Sequence, residues 1–316
     1  MATGIIGAGF GLYGYLPAVL HCEKQVILTE RARGKFSSRK ELEQFSDQIV
    51  WVNDVDELLE IVDTLVISTA PDIQKKLVSR SVLRKNIKNF VLEKPLASNA
   101  RDANVIINLL EKHDKNFRIN YSFFYSIWFK NLECIFLDES RNRNLDLDIV
   151  WNFKAHHYAN NLSNWKRFSS QGGGVINFFA IHLIAVIARL NFIRIISSEV
   201  KGFNTDDIFY FSAVVNNENA NVCNIRVNAD SESNLFKITL RESNSSIEEN
   251  ILFESESPFE EILENKELLD LDIRVPLIYQ LLKEVKEQTI NDDLISLYKS
   301  INEMWSEFEK QANTIL

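Results

Sequence analysis

Eight of the ten glycines in this 316-residue chain fall in two clusters: Gly4, Gly7, Gly9, Gly11 and Gly14 near the start, and Gly172, Gly173 and Gly174 at mid-chain. Glycines gathered in this way mark backbone that takes positive φ or comes close to another group, commonly a ligand. In the first cluster, Gly7-Ala8-Gly9-Phe10-Gly11-Leu12 follows an apolar run. Gly7 permits a tight turn there, and Gly9 lets backbone approach a pyrophosphate at a helix N-terminus. Strict G-x-G-x-x-G spacing puts the third glycine at Leu12; here it is displaced to Gly11 or Gly14, and Pro17 restricts the helix that follows. Glu30 ends the next apolar run, 21 residues after Gly9, where an acid binds the ribose hydroxyls of NAD. Arg31 and Arg33 beside it can equally flank the 2′-phosphate of NADP. Lys94 ends a further apolar run. At the carboxyl end of a parallel strand its ammonium lies at the crevice where doubly wound folds bind ligands, able to polarise a carbonyl or hold a hydroxyl. His182 lies in the apolar stretch 175–190; an imidazole of ordinary pKa, about 6.5, passes protons in both directions near neutrality.

The elements that position these residues follow from periodicity. Short apolar runs at 4–6, 25–28, 49–52, 64–68, 89–92 and 117–120 alternate with helical stretches at 55–61, 73–84 and 100–112. This is the pattern of a doubly wound parallel sheet. From Asp146 the pattern changes to β-rich runs at 148–155, 194–200, 208–215, 221–227, 235–241 and 249–254 with short polar connections, a mostly antiparallel sheet. The stretch 175–190 predicts a buried helix packed across that sheet, and the tail from Pro276 is helical. The fold class expected is therefore α/β, with a Rossmann domain over 1–120 and a second α/β domain over 121–316 whose C-terminal helix is free to pack back on the first.

Composition narrows the function. With 44 acidic against 35 basic residues, a net charge of −9 and no Lys/Arg block, no nucleic acid or anionic membrane partner is expected. Cys22, Cys134 and Cys223 lie far apart with no C-x-x-C pair, so neither a disulfide framework nor a zinc site is expected, and a reducing cytoplasm fits. From the opening Met1-Ala2-Thr3 run no secretory signal is expected, and 175–190 is too short and too polar for a membrane span.

Ser68-Thr69-Ala70-Pro71 after the fourth strand and Val91-Leu92-Glu93-Lys94-Pro95-Leu96-Ala97 at the fifth bring the chain close to a known pattern. So do Asn164-Trp165-Lys166, Gly172-Gly173-Gly174 and His182 in the second half. Over nearly its whole length the chain resembles the Gfo/Idh/MocA oxidoreductases. The resemblance implies NAD or NADP as cofactor, redox of a sugar, inositol or related polyol, and an open sheet used for oligomerisation, here a homodimer or homotetramer. Cofactor contacts are expected from Gly7, Gly9, Phe10, Gly11, Leu12, Glu30, Arg31, Ser68, Thr69, Ala70, Pro71, Gln74, Glu93 and Lys94. Lys94 matches the lysine that binds substrate beside the nicotinamide and takes part in proton transfer, with Glu93 orienting it or touching the cofactor. His182 matches the acid–base histidine. Tyr121, His157, Tyr158, Trp165 and Lys166 complete the expected substrate side with these two.

The chain departs from the pattern in several places. Phe178 stands four residues before His182, where the family usually has Asp. On an α-helix that position shares the histidine's face, whereas Asn177 lies about 140° round and cannot replace the acid. His182 then faces Phe178, Ala185 and Val186, an apolar strip that disfavours its charged form. Phe124 stands where Arg is common and Gln74 where His is frequent. His156-His157-Tyr158 ends the first strand of the second domain, and strand alternation sends the two histidines to opposite faces. His157 or Tyr158 can supply the missing proton relay, or the pair is a sheet edge without chemistry; opposite faces rule out a shared metal ion. The function expected is hydride transfer between nicotinamide and a hydroxyl or carbonyl of a sugar or sugar derivative, a nucleotide sugar of polysaccharide synthesis being the natural class, with a modest preference for NAD. The alternative, motivated by Phe178 and Phe124, is a non-catalytic NAD(P)-binding sensor or assembly protein.

Overall fold

A computed structural model describes residues 2–137, 145–242, 249–260 and 271–315. The chain divides into two compact units, the first formed by Met1–Ala97, Asp102–Tyr125 and Ile262–Ile295, the second by Ser98–Arg101, Ser126–Glu261 and Ser296–Leu316.

In the first unit, β1 (Thr3–Ile6), β2 (Val26–Thr29), β3 (Ile49–Val52), β4 (Thr64–Ile67), β5 (Asn89–Leu92) and β6 (Asn116–Ile119) form one sheet in the order β3-β2-β1-β4-β5-β6. Every pairing is parallel. The inner strands β1, β2 and β4 are buried throughout, which is why they read as continuous apolar runs and not as alternation. The helices are α1 (Leu16–Cys22), α2 (Glu30–Ser37), α3 (Val55–Ile61) and α4 (Pro71–Ser81), with α5 (Ala100–Lys112) before β6. Local chemistry starts them: the Asp54 side chain caps α3 by accepting from the Glu57 amide at 3.0 Å, and Pro71 opens α4 where its missing N–H costs nothing.

The helix Val275–Glu287 also belongs to this unit. Its Val275, Ile278, Leu281, Leu282 and Val285 are buried in one cluster with Leu16, Val19 and Leu20 of α1 and Val26 and Leu28 of β2. At roughly 1.5–3 kcal/mol for each large apolar side chain removed from water, this contact holds the returning segment firmly. A part-buried ion pair adds to it, Arg118 Nε to Glu284 Oε1 at 2.6 Å, with the Tyr125 hydroxyl donating to Glu284 Oε2 at 2.6 Å. The unit therefore runs to Tyr125 and takes in Ile262–Ile295, where the sequence pattern alone places a boundary after residue 120.

In the second unit, α6 (Ile127–Phe136) precedes a seven-stranded sheet. Its strands are β7 (Leu145–Lys154), β8 (Arg194–Gly202), β9 (Ile208–Asn216), β10 (Val222–Asn228), β11 (Asp230–Glu242), β12 (Glu249–Ser255) and β13 (Asn313–Ile315), in the order β12-β11-β7-β10-β9-β8-β13. The sheet is mostly antiparallel, but β7 with β10 and β8 with β13 run parallel. Alternation sets its faces: Phe211, Ala213 and Val215 of β9 and Cys223, Ile225 and Val227 of β10 are buried, while Tyr210, Ser212, Val214, Asn224 and Arg226 alternate with them.

The expected helix over 175–190 is two pieces. A wide π turn, Val175–Ala180, leads into α8 (Ile181–Arg189), in which every residue before Arg189 is buried. The expected strand 148–155 begins earlier and ends at Lys154, and His156–Ala159 forms a short helix, α7. Strand alternation thus does not govern His156 and His157; one turn of helix leaves His156 exposed and buries His157.

Candidate functional site

The glycine turn stands where β1 leaves the sheet. Gly7 has φ +143°, and a Cβ there would collide with the Ser68 carbonyl oxygen at the end of β4. The Ser68 amide donates to Ile6 O at 2.8 Å, so the carboxyl ends of β1 and β4 are joined at this point. In the observed strand order this is the topological switch point, where open α/β sheets bind ligands. A Cβ on Gly9 would meet nothing within 4 Å, so the turn presents an open side there.

The displaced glycine and Pro17 have a common explanation in the backbone. Residues Gly11–Tyr15 form a π turn in which the Leu16 amide bonds Gly11 O, and α1 follows with Pro17 in its first turn. Proline lacks an N–H and crowds the carbonyl four residues back, and a wider turn relieves both. Gly14 is needed because a Cβ there would run into the Phe10 ring.

The strand-end groups are held in one hydrogen-bonded cluster. Glu93 Oε1 accepts from the Tyr15 hydroxyl at 2.6 Å and from Asn120 Nδ2 at 2.8 Å, so the residue beside Lys94 is tied to the glycine-started helix and to the end of β6. Burial first, then the Glu93 charge, raises the Tyr15 phenol well above its ordinary range, which keeps it a donor. Gln74 is fully buried: its amide nitrogen donates to Glu93 O at 2.7 Å and Leu96 O at 3.0 Å, and its oxygen accepts from the Glu93 amide at 3.0 Å. It braces the backbone that carries Lys94, whose peptide bond to Pro95 is cis. Ser68, Thr69, Ala70 and Pro71 form the link from β4 into α4. Tyr121 is buried one residue beyond Asn120, its ring 5.9 Å from that of Phe124.

At the far end of the turn, Glu30 opens α2 and is gripped by Arg33 through Nε at 2.5 Å and Nη2 at 2.6 Å. That grip lowers the pKa of Glu30, and the Arg33 guanidinium lies 4.4 Å from the Trp51 ring. Arg31 is exposed.

In the second unit the mid-chain glycines serve packing. Gly172 and Gly174 take φ +83° and +72°, and a Cβ on Gly173 would strike the carbonyl of Trp165. The close approach seats Trp165 and Lys166 against the π turn: the Trp165 ring meets Phe178 edge-on at 5.4 Å, and Lys166 Nζ lies 5.3 Å over the Phe178 ring. Because a π turn advances less per residue than an α-helix, a spacing of four no longer defines one face through Phe178 and His182. Asn177 is buried and spoken for, accepting from Trp305 Nε1 at 2.8 Å and donating to Ser169 O at 3.3 Å. His182 is buried at 6% exposure on the first turn of α8.

His157 stacks on Phe179, with centroids 6.0 Å apart and planes 24° apart, and its Nε2 is buried without a hydrogen-bond partner among the described residues. Burial, followed by the charges of Lys166 and Arg167, pushes its pKa down to about 4, so it is a neutral imidazole at pH 7. The Tyr158 hydroxyl donates to Asp207 Oδ1 at 2.9 Å, and Arg167 Nε donates to Asp207 Oδ2 at 2.6 Å. Burial and the Asp207 bond raise the Tyr158 pKa. Tyr15, Asn120, Arg167 and Asp207 have no signal in the sequence that marks them; each is identified only by the partner the fold gives it. Among the described residues no group of three or more His, Cys, Asp or Glu is placed to hold a metal, and no helix is long and apolar enough to cross a membrane.

Several solved structures share this architecture. The chain superposes on a probable dehydrogenase from Thermotoga maritima with a TM-score of 0.74 at 14% identity, covering 99% of this chain and 97% of the other. It superposes on a 3-ketoreductase from Actinomadura kijaniata, solved with NADP and TDP-benzene, with a TM-score of 0.71 at 12% identity, covering 100% and 98%. A UDP-N-acetylglucosamine 3-dehydrogenase from Acidithiobacillus ferrooxidans gives a TM-score of 0.69 at 13% identity, covering 99% and 97%. At these identities the likeness is one of fold. No curated protein matches the sequence. Residues 1–121, however, match the sequence profile of the Gfo/Idh/MocA oxidoreductase family, described as an NAD-binding Rossmann fold. The strand order, the switch-point glycine turn and the Glu93-Lys94-Pro95 strand end all fall within this match, so residues 1–121 are similar to the NAD-binding Rossmann domain of the Gfo/Idh/MocA oxidoreductases.

Proposed function

We propose that this chain is an NAD(P)-linked oxidoreductase acting on a hydroxyl or carbonyl group of a sugar-like small molecule. The observation that carries this reading is the bond from Tyr15, on the glycine-started helix, to Glu93 beside Lys94, which fixes a candidate catalytic lysine relative to a dinucleotide turn. The turn fits a dinucleotide: Gly7 has no room for a side chain, and the open side of Gly9 leaves room for a diphosphate against backbone N–H groups. Gly7, Gly9, Phe10 and Gly11 would hold the diphosphate, with the buried Leu12 closing the turn through its amide to Gly9 O at 2.9 Å, and Glu30 would hold the adenosine ribose. When bound, the nicotinamide supplies or accepts the hydride.

Lys94 holds the reacting oxygen of the substrate and stabilises negative charge that develops on it. His182 takes a proton from the hydroxyl oxygen in oxidation and returns one in reduction. Trp165 and Lys166 offer an aromatic surface and an ammonium to the remainder of the substrate. The fold shared with a UDP-N-acetylglucosamine 3-dehydrogenase supports a sugar nucleotide as the class to test first.

The test is a binding and turnover assay with NAD(H), NADP(H) and a nucleotide-sugar panel. Lys94→Ala and His182→Ala should each lower kcat by roughly 10²–10⁴-fold while cofactor affinity is retained. Gly9→Val should abolish NADH binding measured by calorimetry without lowering Tm, since its side chain would enter open space. Near-normal turnover in His182→Ala would assign that histidine to packing, and tight NADH binding with no turnover across the panel would favour the sensor reading.

A further inference from the structure

The glycine turn from Gly7 to Leu12 contains no side-chain hydrogen-bond donor: its non-glycine residues are Ala8, Phe10 and Leu12. A diphosphate carries charge that backbone amides alone neutralise only partly, and arginine is the side chain whose planar fork matches phosphate oxygens best. The first unit supplies such a group from a distant part of the chain. The guanidinium carbon of Arg274, at the start of the returning Val275–Glu287 helix, lies 4.1 Å from the centre of the Phe10 ring and 5.8 Å from that of Tyr13. Phe10 directly follows Gly9, the open position of the turn, and its ring is held in turn by Tyr13 and Tyr15 at 5.2 and 5.5 Å.

The orientation of Arg274 is fixed, and its fixing leaves donors over. Asp272 accepts from Arg274 Nε and Nη2, both at 2.8 Å, and from the Arg274 amide at 2.9 Å. Of a guanidinium's five N–H donors, two go to Asp272 and a further one to Tyr13, which leaves two. Pairing on one edge and stacking on a ring face pre-orders the side chain, so little rotamer freedom remains to be lost when a ligand binds.

We propose that Arg274 is a cofactor-binding residue that contributes a charged donor to the diphosphate of NAD(P) at the Gly7–Leu12 turn. The proposal rests on the cofactor reading above, and goes beyond it in assigning part of the site to the returning C-terminal segment. It implies that the anion affinity of the turn depends on residues outside 1–121.

The experiment compares calorimetric affinities for NADH, ADP and AMP in the full-length protein and in Arg274→Ala, Arg274→Gln and Gly9→Val. With Arg274 removed, ADP and NADH should bind about 10–100-fold more weakly, the effect of losing one charge-assisted hydrogen bond, while AMP should change less. Arg274→Gln, which keeps a neutral donor, should fall between wild type and Arg274→Ala. Unchanged ADP and NADH affinity in a folded Arg274 variant would overturn the proposal, as would an equal loss for ADP and AMP, which would reduce Arg274 to a packing role. If Arg274→Ala does not fold, Arg274→Gln decides by the same criteria. NADH affinity unaffected by Gly9→Val would instead sink the cofactor reading itself, so the two failures are distinguishable.

Discussion

His157 is a residue whose chemistry depends on its surroundings more than on its type. Its pKa, about 4 in the fold against the ordinary 6.5, means that between those two values the unfolded chain binds a proton that the folded chain refuses. Stability therefore falls as pH drops from about 6.5 towards 4, by a total on the order of 3 kcal/mol, and is unaffected by this group above pH 7. Urea unfolding measured across this range should show a steeper loss in the wild type than in His157→Gln; identical pH profiles would remove the histidine from the account. The sequence reveals glycines and Lys94 because type and spacing alone restrict what they do. It cannot reveal that Glu93 is held by Tyr15, 78 residues away, or that Gln74 spends its amide on the backbone of residues 93–96.

Among the elements, the parallel strands are legible because burial on both faces writes a continuous apolar run, and their observed bounds lie within one residue of those expected. The two π turns are not, although one begins inside a glycine cluster and the other directly after one; a widened turn depends on Pro17 in the first case and on the contacts of Asn177 with Trp305 and Ser169 in the second. The run through His156 also misleads, because a helical turn begins at His156 with no break in the sequence pattern of the strand before it. The Arg118–Glu284 pair joins β6 to the Val275–Glu287 helix with Arg118 at 2% exposure. Glu284→Ala leaves that guanidinium buried without its counter-charge, though still bonded to Asn116, Phe117 O and Gln288 O, and should cost about 1.5–3 kcal/mol in chemical denaturation. Replacing both partners with apolar residues of similar volume should cost much less, and equal losses in the single and double variants would show that the ion pair itself is not the issue.

At the scale of the whole molecule, the doubly wound sheet and the mostly antiparallel second sheet follow from the change of pattern near Asp146, whereas the return of residues 271–295 to the first unit does not. That return is encoded in a helical apolar stripe, and a stripe does not name the surface it will cover. The outer face of the second sheet presents Asp148, Glu199, Tyr210, Ser212, Asn224 and Arg226 around a concave surface. A dimer or tetramer formed through this face is the expected assembly, to be checked by light scattering at micromolar concentration; a monomer there, or an assembly unaffected by Arg226→Glu, would argue against it. The discontinuous first unit also bears on how the protein is made. A ribosome releases all six of its strands long before it releases Val275–Glu287, so the apolar surface of α1 stays bare while most of the second unit is still being synthesised. During that interval the nascent chain carries an unfinished core, a state that invites chaperone binding or aggregation.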